Sequence, residues 1–288
     1  MSALQKMPFL TLCLCASLVC PLEASTRIGL SLRDAWRDAS VQILRGRVDD
    51  VSYSHNTAYY RFRVAEVLKS VDGTAPSVIV VADPYWNTFA AITLNLRSEF
   101  VLYTRKSGEH FQSLREIEID SLEGQQHLRA IRLFLNVMSV TGLQKQQTLC
   151  LTLWDARLSD LEKGALLDAM WETPSPTYSD VLLAIAKGND SPDVRSWAVT
   201  VLSHIQNGNG VEQLIPILLN ESDYSLRRQL LILFGTYRVQ GAVAAIDELL
   251  RTVPQESLPA WQQSQLCAVA KEAQEKITGE NASPYWRN

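Results

Sequence analysis

The segment SPDVRSWAVTVLSHI, residues 191–205, has a counterpart in DYSLRRQLLILFGTY, residues 223–237. The two segments are offset by 32 residues, which aligns Arg195 with Arg227. The same offset aligns apolar residues with apolar residues: Ala198 with Leu230, Leu202 with Phe234, Val211 with Val243, Leu214 with Ile246, and Leu218 with Leu250. A fixed period of this size is typical of stacked helical repeats.

The period continues towards the N-terminus. One period before the first segment lie Lys163, Leu166 and Met170, and a further period reaches Phe134 and Met138. Because these positions keep the helical spacing of the apolar residues, we predict one continuous α-solenoid. About five helix pairs are expected, over residues 123–156, 159–188, 191–220, 223–252 and 255–279.

The N-terminal half follows a different pattern. Tyr60 and Phe62 alternate with Arg61 and Arg63, which is the period of a half-buried strand. Five short strands are predicted, over residues 41–48, 59–68, 77–82, 100–104 and 110–114. Short strands joined by tight turns indicate a small antiparallel β-barrel. A helical turn is expected just before it, at Leu32–Trp36.

The chain is therefore predicted to be an α+β protein of two domains, a small antiparallel β-barrel followed by the solenoid. The expected boundaries are a signal peptide over 1–24, the barrel domain over 25–120, the helical repeat domain over 121–280 and a C-terminal tail over 281–288.

The two helical segments quoted above resemble HEAT-type repeats, in the spacing of Val194, Arg195, Ala198 and Leu202 and of their counterparts one period later. In that family an acidic residue and an arginine at fixed offsets form a ladder of polar contacts between repeats. The resemblance implies this role for Asp193, Arg195, Asp223 and Arg227. Their expected function is repeat stacking.

The barrel segments VQILRGRV (41–48), YYRFRVAEVLKS (59–70) and FVLYTRKSGEHFQSL (100–114) resemble an oligonucleotide-binding or netrin-like barrel of exported proteins. Netrin-like inhibitors of metalloproteinases bind zinc through an N-terminal cysteine. No cysteine lies between Ser25 and Leu149, so that activity is not carried over.

The first residues have the pattern of a secretory signal. Lys6 precedes an uncharged apolar run from Pro8 to Cys20, and Ala24 offers a small residue at a cleavage point. We expect export to the periplasm or the medium, with a retained N-terminal anchor as the alternative. Cys150 and Cys267 then remain, and the repeat places them about 30–40 Å apart, too far for a disulfide bond.

Composition and motifs limit the possible functions. The chain has 288 residues and a net charge of −4, which gives no electrostatic reason to expect nucleic acid. No histidine belongs to a zinc or metalloprotease motif, and neither a phosphate loop nor a nucleophile elbow is present. The acidic pair Asp49 and Asp50 is expected at a solvated turn. We therefore predict that the protein is not an enzyme and that it binds neither a cofactor nor a metal ion.

The clearest candidate for a partner contact is the pair Tyr85 and Trp86, because aromatic side chains in a loop are favoured at interfaces. The alternative is that the pair covers the barrel. Four tryptophans at helical spacing, Trp154, Trp171, Trp197 and Trp261, are expected in the repeat core.

The predicted function is an exported, non-catalytic adaptor for a protein partner of unknown identity. Two alternatives remain: an enzyme or enzyme subunit with a polar site at the junction of barrel and solenoid, and a barrel that binds carbohydrate or nucleic acid. The basic stripe that supports the latter consists of Arg45, Arg47, Arg61 and Arg63.

Overall fold

The computed structural model describes residues 31–54, 57–73, 76–83, 94, 96–205 and 210–279. It contains a closed five-stranded barrel followed by a helical region, as the sequence predicts. The short helix α1, Leu32–Arg37, precedes the barrel and begins with Ser31, whose hydroxyl accepts a hydrogen bond from the Asp34 amide.

The barrel strands run in the order β1-β2-β3-β5-β4. Their bounds are Val41–Ser54 (β1), Thr57–Lys69 (β2), Val78–Asp83 (β3), Glu99–Ser107 (β4) and His110–Glu118 (β5). Neighbours are antiparallel except β3 and β5, which are parallel and close the barrel. The predicted alternation in β2 is confirmed, because Tyr60 and Phe62 are buried while Arg61 and Arg63 are exposed.

Gly46 lies where the backbone of β2 closely approaches that of β1. The β1–β2 pairing shifts register beside it, between Arg45 and Gly46. A Cβ atom at Gly46 would lie 2.0 Å from the carbonyl oxygen of Arg63, which no side chain tolerates. Glycine therefore permits the bulge that bends the long strand β1 around the barrel.

The first part of β1, residues 41–44, and residues 100–104 of β4 are buried on both faces. Leu44 and Leu102 face the barrel interior. Ile43, Val101 and Tyr103 face outwards and belong to the core of the helical region. This explains the uninterrupted apolar run FVLY at residues 100–103, because a strand covered on both sides needs no polar face.

The helical region contains α2 to α10 and short 3₁₀ turns in the described part of the chain. The bounds are Leu122–Ser139 (α2), Gly142–Leu153 (α3), Asp160–Glu172 (α4), Ser179–Lys187 (α5), Pro192–Ile205 (α6), Ile215–Asn220 (α7), Tyr224–Thr236 (α8), Val243–Thr252 (α9) and Ala260–Thr278 (α10). Helices α2, α4, α6, α8 and α10 pack side by side in one layer, and α3, α5, α7 and α9 cover it. The predicted pairs thus correspond to α2/α3 through α8/α9, with the single helix α10 at the end.

The repeated apolar positions form the helical core. Ala198, Leu230, Leu202 and Phe234 are all buried, as are Leu166 and Met170 one period earlier. Cys150 and Cys267 are both free thiols, as predicted. None of the helices among the described residues has the length and apolar character needed to cross a membrane.

The prediction for the tryptophans is only partly correct. Trp171 and Trp197 pack against the core. Trp154 and Trp261 are 58% and 59% exposed, so the assignment of these two to the repeat core is wrong. Trp154 ends α3 and Trp261 lies in the first turn of α10, where few neighbours cover a helix.

A ladder of ion pairs joins successive repeats. Arg195 makes two hydrogen bonds to the Glu221 carboxylate, one of them 3.2 Å long, and a third of 3.1 Å to the Asp190 carbonyl. One period later, Arg227 donates to the Glu221 carbonyl and, at 2.6 Å, to the Glu256 carboxylate.

The ladder begins one period earlier, where Lys163 pairs with Asp190. Its acidic members thus lie in the loops that connect the repeats. Asp223 has a different contact, because its carboxylate accepts a hydrogen bond of 2.8 Å from the Leu226 amide and caps α8. Asp193 lies exposed in the first turn of α6.

Replacing Arg195 by methionine is expected to destabilise the protein by about 3 kcal/mol, because it leaves the Glu221 carboxylate buried without its cation. The side chain of Glu221 is only 2% exposed. Urea unfolding measures the effect. The matched control is Arg251→Met, which removes a surface pair with Glu248 and should leave the midpoint unchanged. Equal effects of the two substitutions would contradict a structural role for the ladder.

Candidate functional site

The partner-contact candidates Tyr85 and Trp86 lie outside the described residues, so their role stays a prediction. The two described residues nearest to this segment are Asp83, which ends β3, and Leu94. Both are buried, at 2% and 7% exposure.

Two of the four arginines in the predicted basic stripe have acidic partners. Arg45 bonds to Glu99 at 2.9 Å and to Glu66 at 3.4 Å, and Arg63 bonds to Asp49 at 2.7 Å. These pairs reduce the positive charge that the stripe offers to a phosphate backbone.

The other sequence candidates are dispersed. The ring of His110 packs edge-on against Tyr59 at 5.1 Å, and His55 lies outside the described residues. Within the part of the chain that the structure describes, no cluster of three or more His, Cys, Asp or Glu residues is arranged to hold a metal ion.

Helix α3 carries an apolar face that the rest of the described chain leaves uncovered. Leu149 and Leu153 point into the core, while Leu143, Leu151 and Trp154 are 64%, 74% and 58% exposed. The terminal units of repeat arrays usually have polar outer faces, so this feature is unusual for α3.

A shallow groove lies beside this face, between α3 and the 3₁₀ turn Pro176–Tyr178. Its volume is about 410 Å³, and its lining is mostly apolar. The lining residues are Leu143, Gln146, Gln147, Cys150, Leu151 and Thr177. Burial raises the pKa of the Cys150 thiol, so this cysteine is a neutral, apolar part of the groove.

A second feature is a polar pocket where the barrel meets the helices. Its volume is about 250 Å³. The barrel contributes Tyr103 and Arg115, and α2 contributes His127. On the far side, α4 contributes Asp160 and Asp168. The pocket thus meets the geometric condition that the enzyme alternative sets, a junction with converging titratable groups.

Asp168 has the most perturbed environment in this pocket. Burial raises its pKa to about 6, although the nearby Arg33 and a hydrogen bond from Trp197 oppose the increase. Glu172 and Asp34 add a smaller effect in the same direction as burial.

The side chain of Arg33 lies against two aromatic rings. Its guanidinium carbon is 5.2 Å from the ring centre of Trp171 and 5.6 Å from that of Trp197. The two indoles are stacked at 5.5 Å, and His204 stacks on Trp171 at 3.8 Å. The cation therefore rests on an aromatic surface next to the pocket, which holds α1 against the helices.

His127 and Tyr103, which also line the pocket, are partly desolvated. Burial and the charge of Arg115 lower the pKa of His127, so this imidazole is neutral at physiological pH. Burial raises the pKa of Tyr103 to about 12. The guanidinium of Arg115 lies 5.7 Å from the centre of the Tyr103 ring.

Sequence patterns did not identify this pocket. Its walls come from residues 31–32, β4, β5, α2, α4 and α6, which become neighbours only in the folded chain. Asp168 occupies an ordinary helical position in the sequence. The sequence offers one indication of the pocket. Gly164 and Asp168 interrupt the apolar residues of α4, most of which are buried.

Comparison of the chain with protein-family models, with curated proteins and with solved structures gave no match. The site is therefore interpreted from its own geometry.

Replacing Asp168 by asparagine is expected to stabilise the protein at neutral pH but not in acid. The pKa of Asp168 in the folded state lies above the value of about 3.9 for an unfolded aspartate. The protonated Asp168 carboxyl group therefore makes its full contribution to stability below about pH 4, and this contribution is lost as the pH rises through about 6. Asparagine cannot ionise, so the variant should gain about 1–2 kcal/mol over the wild type at about pH 7.5.

Urea unfolding at about pH 4 and about pH 7.5 measures this difference. The control is Asp180→Asn, which changes an exposed carboxylate on α5. The free energy of unfolding of Asp168→Asn is compared with that of the wild type at each pH. If the difference is the same at both pH values, the buried charge of Asp168 is not the cause of the stabilisation.

Proposed function

We propose that the protein is an exported, non-catalytic adaptor that binds a protein partner through its helical array and the attached barrel. The observation that carries this proposal is the uncovered apolar face of α3. Contiguous apolar surface of this kind marks interaction sites in soluble proteins.

The proposed class of array is HEAT-like, and the proposed class of barrel is oligonucleotide-binding or netrin-like. Two helix layers, a period of 32 residues and an arginine ladder between repeats support the first assignment. Five strands in a closed barrel support the second. Repeat arrays present long surfaces, which suits an adaptor.

The chemistry of the groove indicates the kind of partner. Leu143, Leu151 and Trp154 follow the spacing of one helix face, and the single charged residue of α3, Lys145, is not part of the groove lining. Such a surface suits the apolar side of an amphipathic helix, whose large side chains fill the groove. Tryptophan at the margin is the residue type that most often dominates binding energy.

The alternative that the barrel binds carbohydrate or nucleic acid has less support. The ion pairs of Arg45 and Arg63 occupy two of the four arginines in the basic stripe. The adaptor proposal is therefore preferred.

Replacing Leu151 by serine and Trp154 by alanine is expected to weaken partner binding at least about tenfold, because both changes remove exposed apolar anchors. Stability should change by less than about 0.5 kcal/mol per substitution, since neither side chain is buried. The measurement is a quantitative pull-down from the exported fraction with tagged wild type and variant.

The matched controls are Leu122→Ser and Trp261→Ala. Leu122 is 75% exposed, against 74% for Leu151, and Trp261 is 59% exposed, against 58% for Trp154. Retained binding in the controls and loss in the α3 variant are expected. If the control variant loses as much partner binding as the α3 variant, the effect comes from the loss of any exposed apolar surface and not from α3. Tyr85→Ala with Trp86→Ala, in the same assay, tests the barrel segment separately.

Export requires that the first residues act as a signal. We expect the mature chain recovered from the exported fraction to begin at Ser25, because Ala24 offers the small residue at the cleavage point. N-terminal sequencing or mass spectrometry of the intact chain measures this. A chain that begins at Met1 and stays with the membrane fraction would support the retained anchor instead.

A further inference from the structure

We infer that the pocket at the junction of barrel and helices binds a small zwitterion, a free amino acid with an apolar side chain. This inference is independent of the adaptor proposal, because the pocket and the α3 groove share no lining residue.

The pocket carries positive charge on its barrel wall and negative charge on its helical wall. Arg115 on β5 belongs to the barrel wall of the pocket, and Asp160 and Asp168 on α4 belong to its helical wall. A guanidinium is the preferred partner of a carboxylate, and a carboxylate is the preferred partner of an ammonium group. A ligand that carries both charges matches both walls, whereas a simple anion or cation is repelled by one of them.

The second argument is the state of Asp168. No lysine, arginine or histidine of the described residues lies within ion-pair distance of this carboxylate. The nearby Arg33 is held by the Trp171 and Trp197 rings and by Glu172, at 3.9 Å from Nε to Oε1. A desolvated carboxylate without a close cation is unfavourable, and a ligand ammonium supplies that cation.

A side chain of α6 orients Asp168. The Trp197 side chain donates a hydrogen bond to the Asp168 carboxylate, and both residues line the pocket.

The third argument is Gly164, in the interior of α4. Glycine weakens a helix interior, so a packing reason for it is normally expected. A Cβ atom at Gly164 would meet nothing within 4 Å, so packing does not require the glycine. Because Gly164 lines the pocket, the missing side chain keeps the pocket open.

Volume and lining define the ligand further. About 250 Å³ is smaller than the roughly 300–1,000 Å³ of sites for drug-sized ligands. The remaining lining residues are mostly apolar: Leu32, Ala130, Ile131, Leu161 and Ala165. A free amino acid with an aliphatic side chain fits both properties.

The experiment uses the full chain and three related probes. L-leucine carries both charges, 3-methylbutylamine lacks the carboxylate, and 4-methylpentanoate lacks the amine. Isothermal titration should show binding of L-leucine and at least about tenfold weaker binding of each single-charge probe, since each loses one charge-assisted contact. A thermal-shift panel of the twenty standard amino acids precedes it and identifies the preferred side chain.

Three variants test the residues. Asp168→Asn and Arg115→Gln should each weaken L-leucine binding at least about tenfold. Gly164→Leu should abolish binding by filling the pocket without disturbing the fold, which circular dichroism verifies. The matched controls are Asp180→Asn on α5 and Arg228→Gln on α8, which change exposed charges outside the pocket and should bind as the wild type does.

Binding should also depend on pH. The titratable and charged groups around Asp168 are Arg33, Asp34, Tyr103, Arg115, His127, Asp160 and Glu172. Because the ammonium needs the ionised carboxylate, affinity should fall as the pH drops through about 6. Asp168→Asn should abolish this dependence, and its persistence in that variant would assign the titration to His127.

Three results would overturn the inference. The first is the absence of binding to any amino acid in the panel. The second is amine binding as tight as that of L-leucine, which would make the pocket a cation site. Unchanged binding in Gly164→Leu would place the ligand elsewhere and would overturn the assignment to this pocket.

Discussion

The rest of the structure depends on the burial of two strands, β1 and β4, on both faces. Their inner side chains fill the barrel, and their outer side chains, among them Ile43, Val101 and Tyr103, fill the core of the helical region. Apolar burial is the main favourable contribution to folding, and here one set of strands contributes to two cores. The helices therefore pack directly on the barrel wall, and the polar pocket forms at the margin of this contact.

The helical array keeps its spacing by two different means. Apolar residues at the 32-residue period fill the interior between the layers. Outside this core, Arg195 and Arg227 each connect a helix to the loop after the next helix, through Glu221 and Glu256. Packing alone tolerates small shifts of one helix along another, whereas hydrogen-bonded ion pairs have a fixed geometry. The ladder thus sets the register that packing leaves variable.

The sequence predicted the elements well because their patterns are local. The alternation of Tyr60 and Phe62 with arginines specifies a strand, and the 32-residue period specifies the helix pairs. The acidic partners of Arg195 and Arg227 were not predicted, because loop residues such as Glu221 have no periodic signal. The exposure of Trp154 and the neighbourhood of Asp168 depend on which surfaces are covered. Neither property follows from spacing along one helix.

The double burial of β1 and β4 has a consequence for the order of synthesis. The barrel is complete once residue 118 has emerged, but the helices that share a core with its outer apolar face follow only from Leu122 onwards. During that interval the newly made barrel exposes Ile43 and Val101 to water. Transiently exposed apolar strands promote aggregation and are bound by chaperones. The nascent chain is therefore most vulnerable before these helices are made, and a barrel truncated after β5 would be poorly soluble.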